Sequence, residues 1–240
     1  MIIQLALAAS LLPGIVVSDT NSFTCGSAPQ SCVVDGGKRI LSQYLTSREG
    51  KGECHDIIAM TDIPIADAKS AHNFVLCEKG ERLCGREVKA VVVSMAFMWK
   101  GRFRAVIDFN ADSLVWRDWD VKTKHICGEG VFKAKVDGKV VALSPETLRD
   151  YLNAKGYTGH NVFKELGDRV VAQARPVWIG DMFYGVLTTS CSQPIIFRCA
   201  DGETFEFVGV VPCICEYECQ LEYLKGKFYA VGRGMKGDNF

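Results

Sequence analysis

The chain has 240 residues, 48% of them hydrophobic and 23% charged, which is the composition of an ordinary folded protein with a sizeable core. Lys plus Arg and Asp plus Glu number 28 each, so no net field favours a nucleic acid or an anionic membrane surface. Eleven cysteines, an odd count scattered along the chain, argue against the disulfide framework of a small secreted domain and for buried, reduced thiols.

Met1 to Val17 is apolar and ends near small residues, as a signal peptide does, but no Lys or Arg occurs before Lys38 to supply a basic n-region. Pro13-Gly14 interrupts it, and it is shorter than the roughly 20 apolar residues a bilayer span needs. It reads as a buried strand or helix. Secretion stays open, while the odd cysteine count leans toward the cytoplasm. Neither a membrane span nor a nucleic-acid partner is expected.

Four times an apolar strand enters a glycine-containing turn and leaves as a second apolar strand: Cys32 to Leu41, Phe97 to Val106, Val177 to Val186 and Tyr223 to Val231. Phe103 and Phe183 are 80 residues apart, and Phe183 and Phe228 are 45 apart. The shorter interval falls near the roughly 40 to 50 residues of a four-stranded propeller blade. The expected fold is therefore all-β, a propeller of about three and a half four-stranded blades, with units near 14–65, 88–143, 168–212 and 213–240. Ring closure takes four to eight blades, so the unit count implies a longer natural protein or a fragment.

The first unit takes its later strand from Cys54 to Ile65, and Ile65 to Phe74 reads as a short helix. The second continues through Ser113 to Trp116 to a further hairpin turning at Asp137-Gly138. An inserted helix is expected near 145–155: Ser144 is a good N-cap, Pro145 fits the first turn, Leu148, Tyr151 and Leu152 share a face, and Gly156 suits the left-handed end. In the third unit the strands read as Arg175 to Ile179, Met182 to Thr188, Pro194 to Arg198 and Phe205 to Val211. Asp201-Gly202 turns the last pair as a tight hairpin.

Cys213, Cys215 and Cys219 share one parity on a probable strand, and with His125 and Cys127 they raise a metal site. The spacing matches no common zinc pattern, so no metal and no cofactor is expected. Glu53-Cys54-His55-Asp56 reads as a polar loop. Trp99, Trp116, Trp119, Trp178 and Tyr184 read chiefly as packing between sheets.

The fourth unit runs from Glu218 through Tyr223-Leu224-Lys225-Gly226 to Arg233, which places a carboxylate and a guanidinium at the two ends of one hairpin. This stretch resembles the sialidase (neuraminidase) superfamily. Cys199-Ala200-Asp201-Gly202-Glu203-Thr204-Phe205 is similar to a shortened form of that family's Asp-box turn, with cysteine in place of serine. The resemblance implies a glycoside hydrolase acting on a carbohydrate in a central funnel, with Glu218 as the catalytic glutamate that activates a tyrosine and Arg233 as a carboxylate-binding arginine. That tyrosine would fall beyond Phe240. Arg175, at the start of its strand, would also point to the funnel. Asp19, Asp56 and Asp108, each beside a strand end, are the candidates for substrate contact and for the acid. Converging arginines would select an acidic sugar, and an Arg233 paired only with Glu218 a neutral one. The alternative is a propeller that binds glycans or proteins without catalysis.

Overall fold

A computed structural model describes residues 27–47, 56–157, 169–189, 192–215 and 218–233. They form mostly β structure in several antiparallel sheets. The first sheet is a meander of β1 (Ser27–Val34), β2 (Arg39–Thr46), β3 (Ile57–Pro64) and β4 (His72–Glu78). A short hairpin, β5 (Arg82–Leu83) and β6 (Arg86–Glu87), leads to a second meander of β7 (Val91–Trp99), β8 (Arg102–Phe109), β9 (Ser113–Asp120) and β10 (His125–Val131). The third sheet orders β12 (Lys139–Ala142), β11 (Lys133–Val136), β16 (Thr204–Val210), β15 (Ile195–Cys199), β14 (Met182–Leu187) and β13 (Val177–Ile179). A last hairpin pairs β17 (Cys219–Leu224) with β18 (Lys227–Gly232).

Glycine-containing turns close the expected hairpins. Lys100-Gly101, Asp137-Gly138 and Lys225-Gly226 all have positive φ at both residues, the geometry that matches the twist of paired strands. Helix α1 (Pro145–Ala154) also forms where expected, with Ser144 Oγ accepting from Thr147 N and Leu148, Tyr151 and Leu152 buried. Three features differ from the sequence reading. Ile65 to Phe74 holds only a 3-10 turn at Ala68–Ser70, and from His72 the chain is already the fourth strand of the first sheet. The Asp137-Gly138 hairpin joins the third sheet, not the second, because β11 runs parallel to β16 with Lys133 opposite Thr204. The turn at Asp201-Gly202 is not a two-residue hairpin: Asp201 Oδ1 accepts from Glu203 N at 2.8 Å and Thr204 N at 2.7 Å. Asp120 makes the same turn in the second sheet, accepting from Lys122 N and Thr123 N.

Strand alternation divides the second sheet between two cores. Phe103, Ala105, Ile107, Val115 and Trp119 pack against Leu41, Ile58, Met60 and Leu76 of the first sheet. Val106 and Leu114 face the other way, onto a cluster containing Phe132, Phe183, Phe197, Phe205 and the helix residues Leu148 and Leu152. Trp99 and Trp178 stack with centroids 6.2 Å apart, as packing between sheets requires. A smaller cluster of Ala174, Val186, Val211, Cys215, Cys219 and Leu221 joins the third sheet to the last hairpin.

Between the second and third sheets the buried face also carries charge. Arg104 clasps Asp118 with two bonds of 2.7 and 2.8 Å, donates to Gly202 O at 2.8 Å, and lies 3.9 Å from the Trp116 ring centroid. Truncating the arginine would strand a buried carboxylate. Arg104→Ala is expected to cost about 3–5 kcal/mol, read as a lower urea midpoint with unchanged slope. A loss below about 1 kcal/mol would show that the clasp is dispensable.

Candidate functional site

Residues from the first, second and last sheets and from the segment before β13 meet at one cavity of about 480 Å3. Its wall takes Gln30 from β1, Val93 from β7, Gln173 and Ala174 from the segment entering β13, Glu218 to Gln220 from the start of β17, and Val231 to Arg233 from the end of β18. β7 lies beside β1, Met95 N donates to Ala172 O at 2.6 Å, and β17 packs beside β13 and β14. Gln30 and Arg233, far apart in the sequence, thus line one cavity.

The hairpin register explains the charged pair at the mouth. Cys219 opposes Gly232, which leaves Glu218 and Arg233 facing each other one residue beyond the ladder, with Arg233 N donating to Glu218 O at 2.8 Å. Their side chains pair at 3.6 Å, and each is more than half exposed, at 56% and 58%. A pair this open is screened by water and contributes little to stability. Arg175 is exposed and its N–H donates to Gln220 Oε1 at 3.3 Å. Its guanidinium charge reaches Cys32 on β1: burial pushes that thiol up to about 11, with Arg175 pulling the other way.

The aspartates named from the sequence lie elsewhere. Asp19 is outside the described residues. Asp56 pairs with Lys79 at 3.3 Å, and it does not line the cavity. Asp108 sits on the face of β8 that looks to the third sheet, 1% exposed and 2.9 Å from Arg169 Nη2. Neither of its carboxylate oxygens has a well-aligned hydrogen-bond donor. Burial therefore outweighs the arginine and raises its pKa to about 6.

Gln30, Gln173 and Gln220 are functional candidates that the sequence reading passed over. The signal was present in the repeat: Gln30 and Gln220 each lie six residues before a turn glycine, Gly36 and Gly226, and Gln173 lies seven before Gly180. A larger cavity of about 730 Å3 lies between Arg86, Asp112 and the Val140 to Glu146 segment. There Arg86 pairs with Asp112 at 2.6 Å and Glu146 is held below the usual carboxylate range by the backbone at the helix start.

Among the described residues no set of three or more His, Cys, Asp or Glu is arranged to hold a metal ion, and no helix is long and apolar enough to cross a membrane. No family model matches this chain, and no curated protein is significantly similar to it.

Asp108 gives the fold a pH signature. Near pH 4 the unfolded carboxyl ionises while the folded one keeps its proton, so this group's contribution falls as pH rises from about 4 to about 6. The total is roughly 3 kcal/mol. Denaturant titrations across that range should show the decline, and Asp108→Asn should flatten it. An unaltered slope in the variant would assign the effect to another group.

Proposed function

We propose that this chain is a carbohydrate-active protein of β-propeller type, resembling sialidases, that holds a sugar in the cavity where its sheets converge. The observation that carries this reading is the meeting of β1, β7, the segment before β13 and the last hairpin around Glu218 and Arg233. The paired Asx turns at Asp120 and Asp201 support it further. Cys199, at the position where an Asp-box has serine, donates from Sγ to Asp201 Oδ1 at 3.5 Å.

The lining suits a polyhydroxylated ligand. The amides of Gln30 and Gln173 can both donate to and accept from sugar hydroxyls, whereas that of Gln220 is held by Arg175 N and Leu221 O. Arg233 offers a charge-assisted bond to a sugar carboxylate, which makes an acidic sugar the preferred substrate class, while Arg175 lies beside the wall without lining it. Glu218 would act as the base that activates a neutral nucleophile, a scheme that avoids driving an anion against the substrate carboxylate. A second reading, glycan binding without hydrolysis, is favoured by the exposure of Glu218 and by its being the one carboxylate among the described residues of the cavity wall.

Calorimetry and fluorogenic glycosides of acidic and neutral sugars test both. The wild type should bind an acidic sugar, and Arg233→Ala should weaken that binding roughly 10- to 100-fold, the value of a charge-assisted bond. Glu218→Gln should retain binding and lose turnover by orders of magnitude. Binding with no turnover in the wild type selects the second reading. No binding to any sugar removes both.

A further inference from the structure

The third sheet ends at β12, whose outer edge pairs with no other described strand. The turn before it decides which backbone groups look out from that edge. Asp137 and Gly138, both at positive φ, form a two-residue hairpin in which Val136 and Lys139 are the closing, hydrogen-bonded pair. Bonded and non-bonded pairs alternate along an antiparallel ladder, so Val140 and Ala142 turn their N–H and C=O groups away from β11. Thr147 Oγ1 donates to the Ala142 carbonyl at 2.8 Å, as that orientation requires. Both backbone groups of Val140 and the Ala142 N–H have no backbone partner among the described residues.

The cavity of about 730 Å3 runs along this edge. It touches Val140 and Ala142 on one face of β12 and Val141 on the other, while β11 fills the strand's inner side. A space that reaches both faces of a strand has to pass round its free edge. Val131, Val140 and Val141 line it and are 41%, 57% and 40% exposed, an open β-branched surface. Of the charged groups in the lining, Arg86 and Asp112 hold each other, and Glu146 meets Arg149 at 3.3 Å. Lys133 has no ion-pair partner among the described residues, whereas its neighbour on the same face, Lys135, pairs with Glu206 at 3.7 Å. Lys133 lies opposite Ala142, whose small side chain leaves the ammonium a clear path across the edge.

We propose that the free edge of β12 is a docking site for an extended segment of a partner protein, which adds to the third sheet as a seventh strand. Main-chain bonds to Val140 and to the Ala142 N–H hold it. Apolar β-branched residues lie against Val140 and Val141, and an acidic residue opposite Ala142 reaches Lys133. Donors and acceptors set at strand spacing are matched by another extended backbone, and the one uncommitted charge in the lining is positive, which fixes the sign of the partner's charge. The site shares no residue with the cavity around Glu218, so it stands whether or not a sugar binds there.

Fluorescence anisotropy of a labelled peptide, Thr-Glu-Val-Val-Val-Glu-Thr, titrated with the full chain tests this. The symmetric sequence serves either strand direction. Saturable binding is expected. The peptides Thr-Glu-Val-Pro-Val-Glu-Thr and Thr-Lys-Val-Val-Val-Lys-Thr should each bind about 10-fold more weakly, the first for a lost main-chain bond and the second for repulsion by Lys133. Val140→Pro removes an N–H that faces away from β11, which leaves the ladder intact, and should weaken the acidic peptide about 10-fold. Lys133→Glu changes an exposed side chain and should reverse the preference between the acidic and lysine peptides. Absent binding, or binding indifferent to both the central proline and Lys133→Glu, overturns the proposal. So does a concentration-dependent dimer that Val140→Pro dissolves, since a second copy then occupies the edge. The peptide variants leave the protein untouched, so the outcome does not depend on any variant's folding.

Discussion

The second sheet is packed on both faces, and the positions of the other sheets follow from that. Along β8, side chains of one parity enter the core shared with the first sheet, and those of the other parity enter the core shared with the third. Such a strand has no solvated face on which to place a charge cheaply. Where charges occur they are matched within reach: Arg104 by Asp118 and by the Gly202 carbonyl, and Arg117 by Glu81, Glu129 and the Leu76 carbonyl. Arg104 ties the second sheet to the third and Arg117 ties it to the first. These guanidinium groups set how neighbouring sheets meet as well as how firmly.

The cavity follows from the same packing. Residues near the starts of β1, β7 and β17 and on the segment before β13 become neighbours although nearly 200 positions lie between Gln30 and Gln220. The wall combines amides, an open ion pair and a thiol, with Val93 as an apolar side. Glu218 lies at the exposed mouth, paired with Arg233, whereas Asp108 and Asp118 are buried and serve the sheets.

Much of this was legible in the residues themselves. The hairpin turns announced themselves through Lys100-Gly101 and Lys225-Gly226, and α1 through Ser144, Pro145 and the spacing of Leu148, Tyr151 and Leu152. Their causes are local, so a short stretch of sequence contains them. The fourth strand of the first sheet was hidden because β4 has a register shift opposite Ile58 and Ala59 and does not alternate cleanly. The membership of β11 was hidden for another reason: its partner β16 lies about 70 residues downstream, and parallel pairing at that distance has no local signature. Glu218 and Arg233 were found as the two ends of one hairpin. The three glutamines were not, since an isolated Gln carries no chemistry of its own until the fold sets it beside others.

The attachment of β11 to β16 has a kinetic consequence. Each meander can zip from its own turns, since adjacent strands are joined by short connections and closing them costs little chain entropy. The third sheet cannot finish that way. β11 and β12 emerge during synthesis long before Thr204 exists to receive Lys133, and until then the edge formed by Lys133 to Val136 of β11 is bare. Completion of the sheet must await the arrival of β16, which makes this docking the slow, late event of assembly and the open edge of β11 the point where a nascent chain is most open to pairing with the wrong neighbour.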